Sequence, residues 1–464
     1  MPDGVDMRKV PLAASQPPIP EAQMRIFLVQ TAQGLTPSSG GYKANVNFLR
    51  QMRDFGHEAA QICYGFGKEV EWFAERATDK GIKPDVQTID LDVTDPKNIT
   101  YNMKVITFND EYGIKNIVIS RDIFNHAYPV KEFFVDTKAY LENGEEHATE
   151  RIKSLIHLFS TQIKEFRPTH VMFNDALTMS ITCTHEDRAL FKRVAIIHTA
   201  EQLPFGPFCA GIDGHCVSAK LENKMLRDLD RIWSVSKAIQ SYAKEHGNLH
   251  TEYFVHSTRT YMDAETGAMP LVRHNVDKDE VGMINPCPHK GLSILLALAK
   301  SLPDIKFVTW KSWGSEPQHL AQLEALPNIE IQATTENTDE IWDRIKVLIA
   351  PSVWLEAWGI VVTEAQLRGI PVIASNAGGL KEAKIGLPYC IPVNMITGER
   401  HANGNYVVPE QDAGPWVDAL VKLMTDRVAY ETLAHATEVG AAKWLQGLND
   451  HAHEEWLLGM MDTT

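Results

Sequence analysis

Residues 350–382 read APSVWLEAWGIVVTEAQLRGIPVIASNAGGLKE and form the most informative segment of the chain. An apolar run that ends at Ala350 predicts a buried strand, and Pro351 turns the chain into a loop. Directly after Glu356, the spacing predicts a helix that begins near Gly359. The first N–H groups of a helix have no intrahelical partner and the helix dipole is positive there, so this turn is a suitable seat for phosphate.

Two carboxylates flank this turn. Glu356 stands before the predicted helix and Glu364 follows eight residues later. At 1.5 Å per residue the two are separated by at most ~12 Å along the helix axis. They cannot easily act on one atom, but they suit the two ends of an elongated ligand such as a nucleotide-sugar.

Short apolar runs alternate with helical stretches along most of the chain, and residues 258–280 interrupt the alternation. This pattern predicts mostly parallel sheets covered on both faces. The fold class is therefore α/β, with two doubly wound, Rossmann-like domains that face a central cleft, and ligands are expected beyond the carboxyl ends of the strands. The predicted strands are 25–29, 59–64, 104–107, 116–120, 170–173, 194–197, 231–235, 281–284, 306–309, 329–331, 346–350 and 371–374.

The composition excludes several classes of protein. A chain of 464 residues has room for two or three domains, and 44% hydrophobic with 23% charged residues excludes wholesale disorder, collagen and coiled coil. A net charge of −15 without a basic stripe argues against extended binding to nucleic acid or anionic lipid. The six scattered cysteines indicate reduced thiols, and no apolar run is long enough to span a bilayer. A cytoplasmic protein is expected.

The segment at 350–382 resembles the E-x7-E signature of retaining family-4 glycosyltransferases, which have the GT-B fold. Residues 281–291 resemble the phosphate-binding loop of that family, and Gly40-Gly41 resembles its glycine pair after the first strand. The long E-x7-E stretch is specific, whereas the glycine pair alone would be a weak signal.

The resemblance implies roles for individual side chains. Glu364 would bind the ribose hydroxyls of the nucleotide, and Glu356 would contact the transferred sugar. Many family members carry an arginine shortly after the glycine of the strand, where this chain has Met283 and then Asn285. Binding of the diphosphate would therefore depend more on Lys290, with Asn285 beside it in the donor loop.

Backbone groups would complete the donor site. By the same resemblance, the amides of Ala357, Trp358 and Gly359, with those of Gly40 and Gly41, would hold the donor. A fixed cation and oriented N–H groups would stabilise the departing diphosphate without a metal ion or other cofactor. Carboxyls about 5–5.5 Å apart would be needed for a paired-carboxylate displacement, so a front-face retaining mechanism is favoured.

Three polar residues follow strands in the first half of the chain. His198 ends a predicted strand and resembles the sugar-contacting histidine of the family, which makes it the third expected catalytic residue beside Glu356 and Lys290. Asn174 and Asp175 end the neighbouring strand and are candidates for binding the acceptor.

Structural roles are the alternatives for several of these residues. His198 is equally well explained as a core histidine, and a helix cap is the favoured alternative for Asp175. Gly40-Gly41 is alternatively a loop that needs positive φ. Asp90 to Asp92 is interpreted as a solvated loop rather than a metal site.

The domains expected from the pattern and the resemblance are a flexible tail (1–23), an acceptor-binding domain (24–257), a linker (258–280), a nucleotide-sugar-binding domain (281–440) and a helical segment that packs back on the N-terminal domain (441–464). The expected function is transfer of a sugar from a nucleotide diphosphate-sugar, with uridine as the expected base, to a hydroxyl of a small-molecule acceptor. A specialised metabolite is one candidate for that acceptor. The alternatives are a nucleotide-sugar epimerase, a phosphorylase and a non-catalytic nucleotide-sugar-binding protein. The sequence offers no lysine segment typical of a pyridoxal-phosphate site, which disfavours the phosphorylase.

Overall fold

A computed structural model describes residues 23–33, 40–65, 78–79, 81, 83, 85–91, 101–120, 130–209, 220–263, 266–335 and 337–461. All of the expected N-terminal tail except Gln23 lies outside the described residues. The chain divides into two compact units. The N-terminal unit contains the described residues within 19–235, 239–260 and 450–464, and the C-terminal unit contains residues 236–238 and 261–449.

The described sheet of the N-terminal unit has nine strands: β1 (Arg25–Gln33), β2 (Glu58–Gly65), β3 (Asp85–Leu91), β4 (Tyr101–Asn109), β5 (Lys115–Ser120), β6 (His170–Phe173), β7 (Lys192–Ile197), β8 (Arg231–Ser234) and β9 (Glu252–Tyr253). Their spatial order is β3-β4-β5-β2-β1-β6-β7-β8-β9. From β5 to β9 every neighbouring pair is parallel. This part of the sheet grows outward in both directions from a central first strand, as a doubly wound fold does.

An antiparallel pair extends one edge of this sheet. Strand β3 pairs with β4 in antiparallel register, and β4 pairs in the same way with β5. The interpretation of Asp90 as part of a loop is therefore wrong, because Asp90 lies in β3 opposite Asn102. Asp92 lies outside the described residues. An edge strand takes its backbone partners from one neighbour and needs no long apolar run, so no strand is predicted there from the sequence.

Helices connect the parallel strands of this unit: α1 (Gly40–Asp54), α2 (Val130–Asn143), α3 (Glu150–Phe166), α4 (Ala176–Thr184), α5 (Lys220–Arg227) and α6 (Lys237–Gly247). Helix α1 shows why these segments pack on the sheet. Its residues Ala44, Phe48 and Met52 follow each other at four-residue spacing and are all buried, so one stripe of the helix covers the sheet.

The C-terminal unit has the strands β10 (Glu280–Ile284), β11 (Lys306–Trp310), β12 (Ile329–Gln332), β13 (Ile345–Ala350), β14 (Val372–Ser375) and β15 (Cys390–Ile391). They lie in the order β12-β11-β10-β13-β14-β15, and all neighbouring pairs are parallel. Numbered within the unit, this is the strand order 3-2-1-4-5-6 of dinucleotide-binding folds. The prediction of two Rossmann-like α/β sheets is confirmed.

The helices of this unit are α7 (Leu292–Ser301), α8 (Pro317–Glu324), α9 (Asp339–Trp342), α10 (Ile360–Leu367), α11 (Leu380–Ala383), α12 (Gly414–Thr425) and α13 (Arg427–Gln446). A short 3-10 turn, Pro288–Lys290, precedes α7. Gly291 separates the two, because with φ of 88° it adopts the left-handed backbone conformation, which interrupts a right-handed helix.

The last described helix, α14 (Ala452–Met461), belongs to the N-terminal unit. The buried carboxylate of Glu454 accepts a hydrogen bond from the ring of His57, with 2.7 Å between Oε1 and Nε2. The backbone carbonyl of Leu457 lies 3.0 Å from Nε2 of His170. Both histidines are buried, so the end of the chain is held by polar contacts inside this unit.

Each sheet has one point where the strand order changes direction, between β1 and β6 in the N-terminal unit and between β10 and β13 in the C-terminal unit. Loops that leave the carboxyl ends of these strand pairs run to opposite faces of the sheet and leave a crevice where ligands bind. Within the described part of the chain, none of the helices combines the length and apolar character needed to cross a membrane.

Candidate active site

The first candidate cluster lies at the crevice between β10 and β13. The loop after β10 begins at Asn285, which is buried and has φ of 60°. Its side-chain oxygen accepts a hydrogen bond from the backbone N–H of Gly314 at 3.1 Å. The side chain of Asn285 thus ties the loop after β10 to the loop after β11.

The loops that follow β10 and β13 are also tied to each other. The carbonyl of His289 accepts hydrogen bonds from the hydroxyl of Ser352 at 3.0 Å and from the N–H of Val353 at 2.9 Å. Gly291 allows this approach, because a Cβ added there would lie 2.7 Å from the carbonyl carbon of Pro351. These contacts bring residues that are more than 60 positions apart in sequence to one place.

Lys290 and Glu356 meet at this place. The ammonium of Lys290 donates a hydrogen bond to Oε1 of Glu356, and the two side chains are 23% and 9% exposed. The same Nζ lies 5.0 Å from the ring centroid of Trp354, a distance typical of a cation–π contact. A cation with one solvent-accessible side therefore sits over a nearly buried carboxylate.

Two glycines hold the backbone of Glu356 and its neighbour. The N–H of Gly379 donates to the carbonyl of Glu356 at 2.7 Å. A Cβ at Gly378 would lie 2.8 Å from the nitrogen of Glu356, and a Cβ at Gly379 would lie 2.7 Å from the carbonyl carbon of Ala357. Ordinary contacts start at 3.4 Å, so a side chain at either position requires the neighbouring backbone to shift.

Helix α10 begins next to this carboxylate. Gly359 precedes it with φ of 96°, and Trp358 is buried with its indole N–H bonded to Thr363 at 3.1 Å. The chain at residues 357–359 therefore leads into the helix N-terminus where N–H groups lack intrahelical acceptors. Glu364 lies inside the helix and is 9% exposed, and its backbone carbonyl accepts from Arg368 at 3.1 Å.

The second cluster lies in the N-terminal unit. Gly40 and Gly41 were expected to end a loop, but they are the first two residues of α1. Neither is among the glycines with positive φ, so the alternative of a loop that needs positive φ is wrong. The space at Gly41 is nevertheless tight, because a Cβ there would lie 3.1 Å from Cγ of His198. Its helix packs directly against that ring.

His198 follows β7 and is buried. Its Nε2 lies 2.7 Å from Oδ1 of Asn45, and its backbone N–H donates to Oε1 of Gln202 at 2.6 Å. Burial lowers the pKa of the imidazole to about 4, so the ring is neutral near pH 7. Its Nδ1 is buried and has no hydrogen-bond partner among the described residues.

Asn174 and Asp175 follow β6. The carboxylate of Asp175 caps α4 by accepting from the N–H of Thr178 at 2.9 Å, and it accepts a second bond from the N–H of Thr31 at 2.8 Å. Burial raises the pKa of this carboxyl above its usual value, although both N–H groups oppose the shift. The helix-cap interpretation of Asp175 is confirmed. Asn174 is buried, and its Nδ2 lies 3.4 Å from Oε1 of Gln30.

Sequence reasoning missed several residues of these clusters. Trp354 lies inside the segment at 350–382, and an aromatic residue so close to Glu356 could have been considered as a partner of a cation. Gln30 was detectable as a polar residue at the end of an apolar strand. Asn45 carries no signal of its own, because a single asparagine on a helix is ordinary.

Residues 281–426 match the family model described as Glycosyl transferases group 1. Among curated proteins, a D-inositol 3-phosphate glycosyltransferase of Corynebacterium efficiens is 26% identical over 157 residues, which are 32% of this chain and 32% of that protein. An exopolysaccharide phosphotransferase of Streptomyces coelicolor is 24% identical over 159 residues, which are 32% of this chain and 15% of that protein. The chain thus covers less than a third of the length of either curated relative.

Solved structures are similar over nearly the whole chain. Sucrose-phosphate synthase from Thermosynechococcus elongatus has a TM-score of 0.61 at 14% identity, covering 94% of this chain and 98% of that one. The Anabaena protein HepE in complex with UDP-glucose has a TM-score of 0.57 at 13% identity, covering 95% and 100%. The chain therefore has the fold of the GT-B glycosyltransferases, and its residues 281–426 are similar to the Glycosyl transferases group 1 family.

Proposed function

We propose that this protein is a retaining, family-4-like glycosyltransferase. It would transfer a sugar from a nucleoside diphosphate sugar, with uridine as the expected base, to a hydroxyl of a small-molecule acceptor. The observation that supports this most is the pairing of Lys290 with Glu356 beside the N-terminus of α10, at the crevice of a 3-2-1-4-5-6 sheet. This site lies inside the segment that matches the family model.

Lys290 would bind the diphosphate. In the ligand-free arrangement its ammonium is neutralised by Glu356, and a diphosphate carries more negative charge than one carboxylate. At about 4 Å a single pair of charges near a protein surface is worth about 4 kcal/mol, so the ammonium is expected to turn to the diphosphate. The positive end of the α10 dipole would add a second source of positive potential.

Glu356 would then be released to contact the transferred sugar. When the bond from C1 of the sugar to the diphosphate oxygen breaks, its electron pair leaves with the diphosphate and positive charge develops on the sugar ring. A carboxylate beside the ring stabilises that charge, and Lys290 with the helix amides stabilises the leaving group. The acceptor oxygen would form its bond to C1 on the same face, while its proton passes to a diphosphate oxygen.

Glu364 would bind the ribose diol of the donor. It is nearly buried within α10, and it is separated from Glu356 by eight residues. A carboxylate at this distance can accept hydrogen bonds from both ribose hydroxyls. His198 is proposed to accept a hydrogen bond from a substrate hydroxyl, and Asn174 is proposed to hold the acceptor. Asp175, which caps α4, stays a candidate for binding the acceptor beside Asn174.

The relatives support a nucleotide-sugar donor. HepE was solved with UDP-glucose, and one curated relative is a D-inositol 3-phosphate glycosyltransferase. We propose by analogy that this chain binds a UDP-sugar. Lys290 and the N–H groups beside α10 would supply the positive charge at the diphosphate, so we propose turnover without a metal ion, which should persist in excess EDTA.

Donor hydrolysis in the absence of an acceptor tests this function. The protein is incubated with UDP-, GDP- and ADP-glucose, and the anomeric proton signals are followed by NMR before mutarotation. We expect release of α-glucose from one donor, because water attacks on the face that the diphosphate leaves. Glu356→Gln should abolish the signal. Release of β-glucose would contradict retention, and no turnover of any donor by the wild type would contradict the function.

A further inference from the structure

A chain of buried amide side chains runs through the N-terminal unit and ends at His198. Its members are Asn116, Gln61, Gln30 and Asn45, all at most 5% exposed. Nε2 of Gln61 lies 2.6 Å from Oδ1 of Asn116, and Nε2 of Gln30 lies 3.5 Å from Oε1 of Gln61. Nδ2 of Asn45 lies 3.4 Å from Oε1 of Gln30, and Oδ1 of Asn45 lies 2.7 Å from Nε2 of His198.

One backbone group fixes the direction of this amide relay. Nδ2 of Asn116 lies 3.0 Å from the carbonyl oxygen of Ile114, and a carbonyl can only accept. Asn116 must therefore turn its NH2 group toward Ile114 and its oxygen toward Gln61. Each following amide is oriented in the same way, because the amide that accepts with its oxygen on one side donates with its NH2 group on the other.

The relay ends with an acceptor at the histidine. Asn45 donates to Gln30, so its oxygen faces the ring, and Nε2 of His198 must carry the proton. Asn174 adds a second donor to Oε1 of Gln30, which opposes a reversal of the amide at Gln30. Hydrogen positions in a histidine are set by such partners, and here the partners select the Nε2–H tautomer.

The other nitrogen of the ring is left as an acceptor. Nδ1 of His198 is buried, and no residue in the described part of the chain forms a hydrogen bond to it. Burial keeps the whole ring neutral by lowering its pKa to about 4. Three neighbours hold His198 in place. Helix α1 packs against the ring at Gly41, and Gln202 accepts a hydrogen bond from the backbone N–H of His198. The ring of His256 is stacked on that of His198, with 6.2 Å between the ring centroids. An acceptor fixed in this way costs stability unless a donor arrives.

We propose that Asn45 is a positioning residue that fixes His198 in the Nε2–H tautomer, through the amide relay anchored at Ile114, so that Nδ1 accepts a hydrogen bond from a hydroxyl group of the substrate. This inference rests on the proposed function for the identity of the substrate, a sugar or polyol. The tautomer itself follows from the relay alone.

The test changes Asn45 to aspartate and uses a neighbouring asparagine as the control. Asn47 lies two residues further along the same helix, is also buried, and contacts Arg50 rather than the relay. The carboxylate of Asn45→Asp should hold a protonated imidazole and raise the pKa of His198. Nδ1 then becomes a donor and no longer accepts. His256 is the titratable group stacked on this ring. Burial keeps the pKa of His256 well below its usual value, and the nearby His198 and His453 lower it further.

The expected result is a changed pH profile. In the wild type and in Asn47→Asp, His198 should not titrate between pH 6 and pH 8, so it should cause no change in donor turnover over this range. Turnover by Asn45→Asp should be about tenfold lower at pH 6 than at pH 8, because the imidazolium form is populated as the pH falls. A merely structural role would lower activity equally at both values. Identical profiles for the two variants would overturn the proposal.

Nitrogen-15 NMR of the wild type tests the tautomer without any variant. In histidine-labelled protein, Nε2 of His198 should be protonated and Nδ1 unprotonated at pH 7. The opposite assignment would overturn the inference even if Asn45→Asp fails to fold. If NMR gives the expected tautomer while no donor is turned over, the proposed function fails and the positioning role of Asn45 stands.

Discussion

Alanine at Gly378 should displace the carboxylate that is proposed to contact the transferred sugar. The added Cβ would lie 2.8 Å from the nitrogen of Glu356, and 3.4 Å is where ordinary contacts begin. The backbone of Glu356 must therefore move by roughly 0.6 Å or more. Shifts of about 1 Å at a catalytic group can lower turnover by about 10²-fold, so we expect a loss of roughly 10- to 100-fold in kcat.

Gly386→Ala is the matched control for this change. Gly378 and Gly386 both have positive φ, at 56° and 81°, but a Cβ at Gly386 meets nothing within 4 Å. Both variants should lose about 1–2 kcal/mol of unfolding free energy to backbone strain. Gly378→Ala should lose a further 1–3 kcal/mol, roughly, from overpacking.

Urea unfolding and donor turnover separate the two effects, with turnover measured well below the melting temperature of both variants. The account requires that kcat falls much more in Gly378→Ala than in Gly386→Ala. If the two variants turn over donor within about threefold of each other, Glu356 is not held in place by Gly378 or is not needed for the reaction.

Three further outcomes are expected. Glu364→Gln should weaken binding of UDP by about 10- to 100-fold in a calorimetric titration, the range for losing hydrogen bonds to a charged group. The kcat at saturating donor should change little, and an unchanged UDP affinity would show that Glu364 does not bind the ribose. Lys290→Met should lower the affinity for UDP and also the free energy of unfolding, because the nearly buried Glu356 loses its cation. Lys290→Arg should retain much of that stability in urea unfolding. A Lys290→Met variant that is as stable as the wild type and binds UDP normally would contradict this. Burial lowers the pKa of His170, His198 and His453 to about 4 and that of His256 well below its usual value. Between about pH 4 and pH 6.5 the unfolded chain therefore binds protons at these four side chains that the folded chain does not, and the free energy of unfolding should fall with decreasing pH by up to about 1.4 kcal/mol per histidine and pH unit. Urea unfolding at pH 5 and pH 7 measures this, and equal stability at the two values would refute it.

The parallel sheets were predictable because their strands are buried on both faces. A run of apolar residues such as 346–350 needs no knowledge of its neighbours to be recognised, and β13 spans Ile345–Ala350. The predicted strand at 104–107 lies within β4. Strand β3 was missed, because an edge strand carries polar residues among its apolar ones and is stabilised by its pairing.

The site was predictable in its residue types but not in its contacts. Glu356 was found from its place before a helix, yet its ion pair with Lys290 depends on two loops that join through His289 and Ser352. The amide relay could not be predicted for the same reason. Its members come from four separate elements, and only the fold aligns them with His198.

The central claim is that a nucleoside diphosphate binds at Lys290 and the N-terminus of α10. Isothermal titration calorimetry of UDP into the full chain, with the Lys290→Met variant in parallel, tests it most directly. The account predicts one binding site on the wild type, with affinity that decreases as salt is added and that is reduced at least tenfold in the variant. Equal affinity of wild type and variant, or no heat of binding with UDP, GDP or ADP, would contradict it.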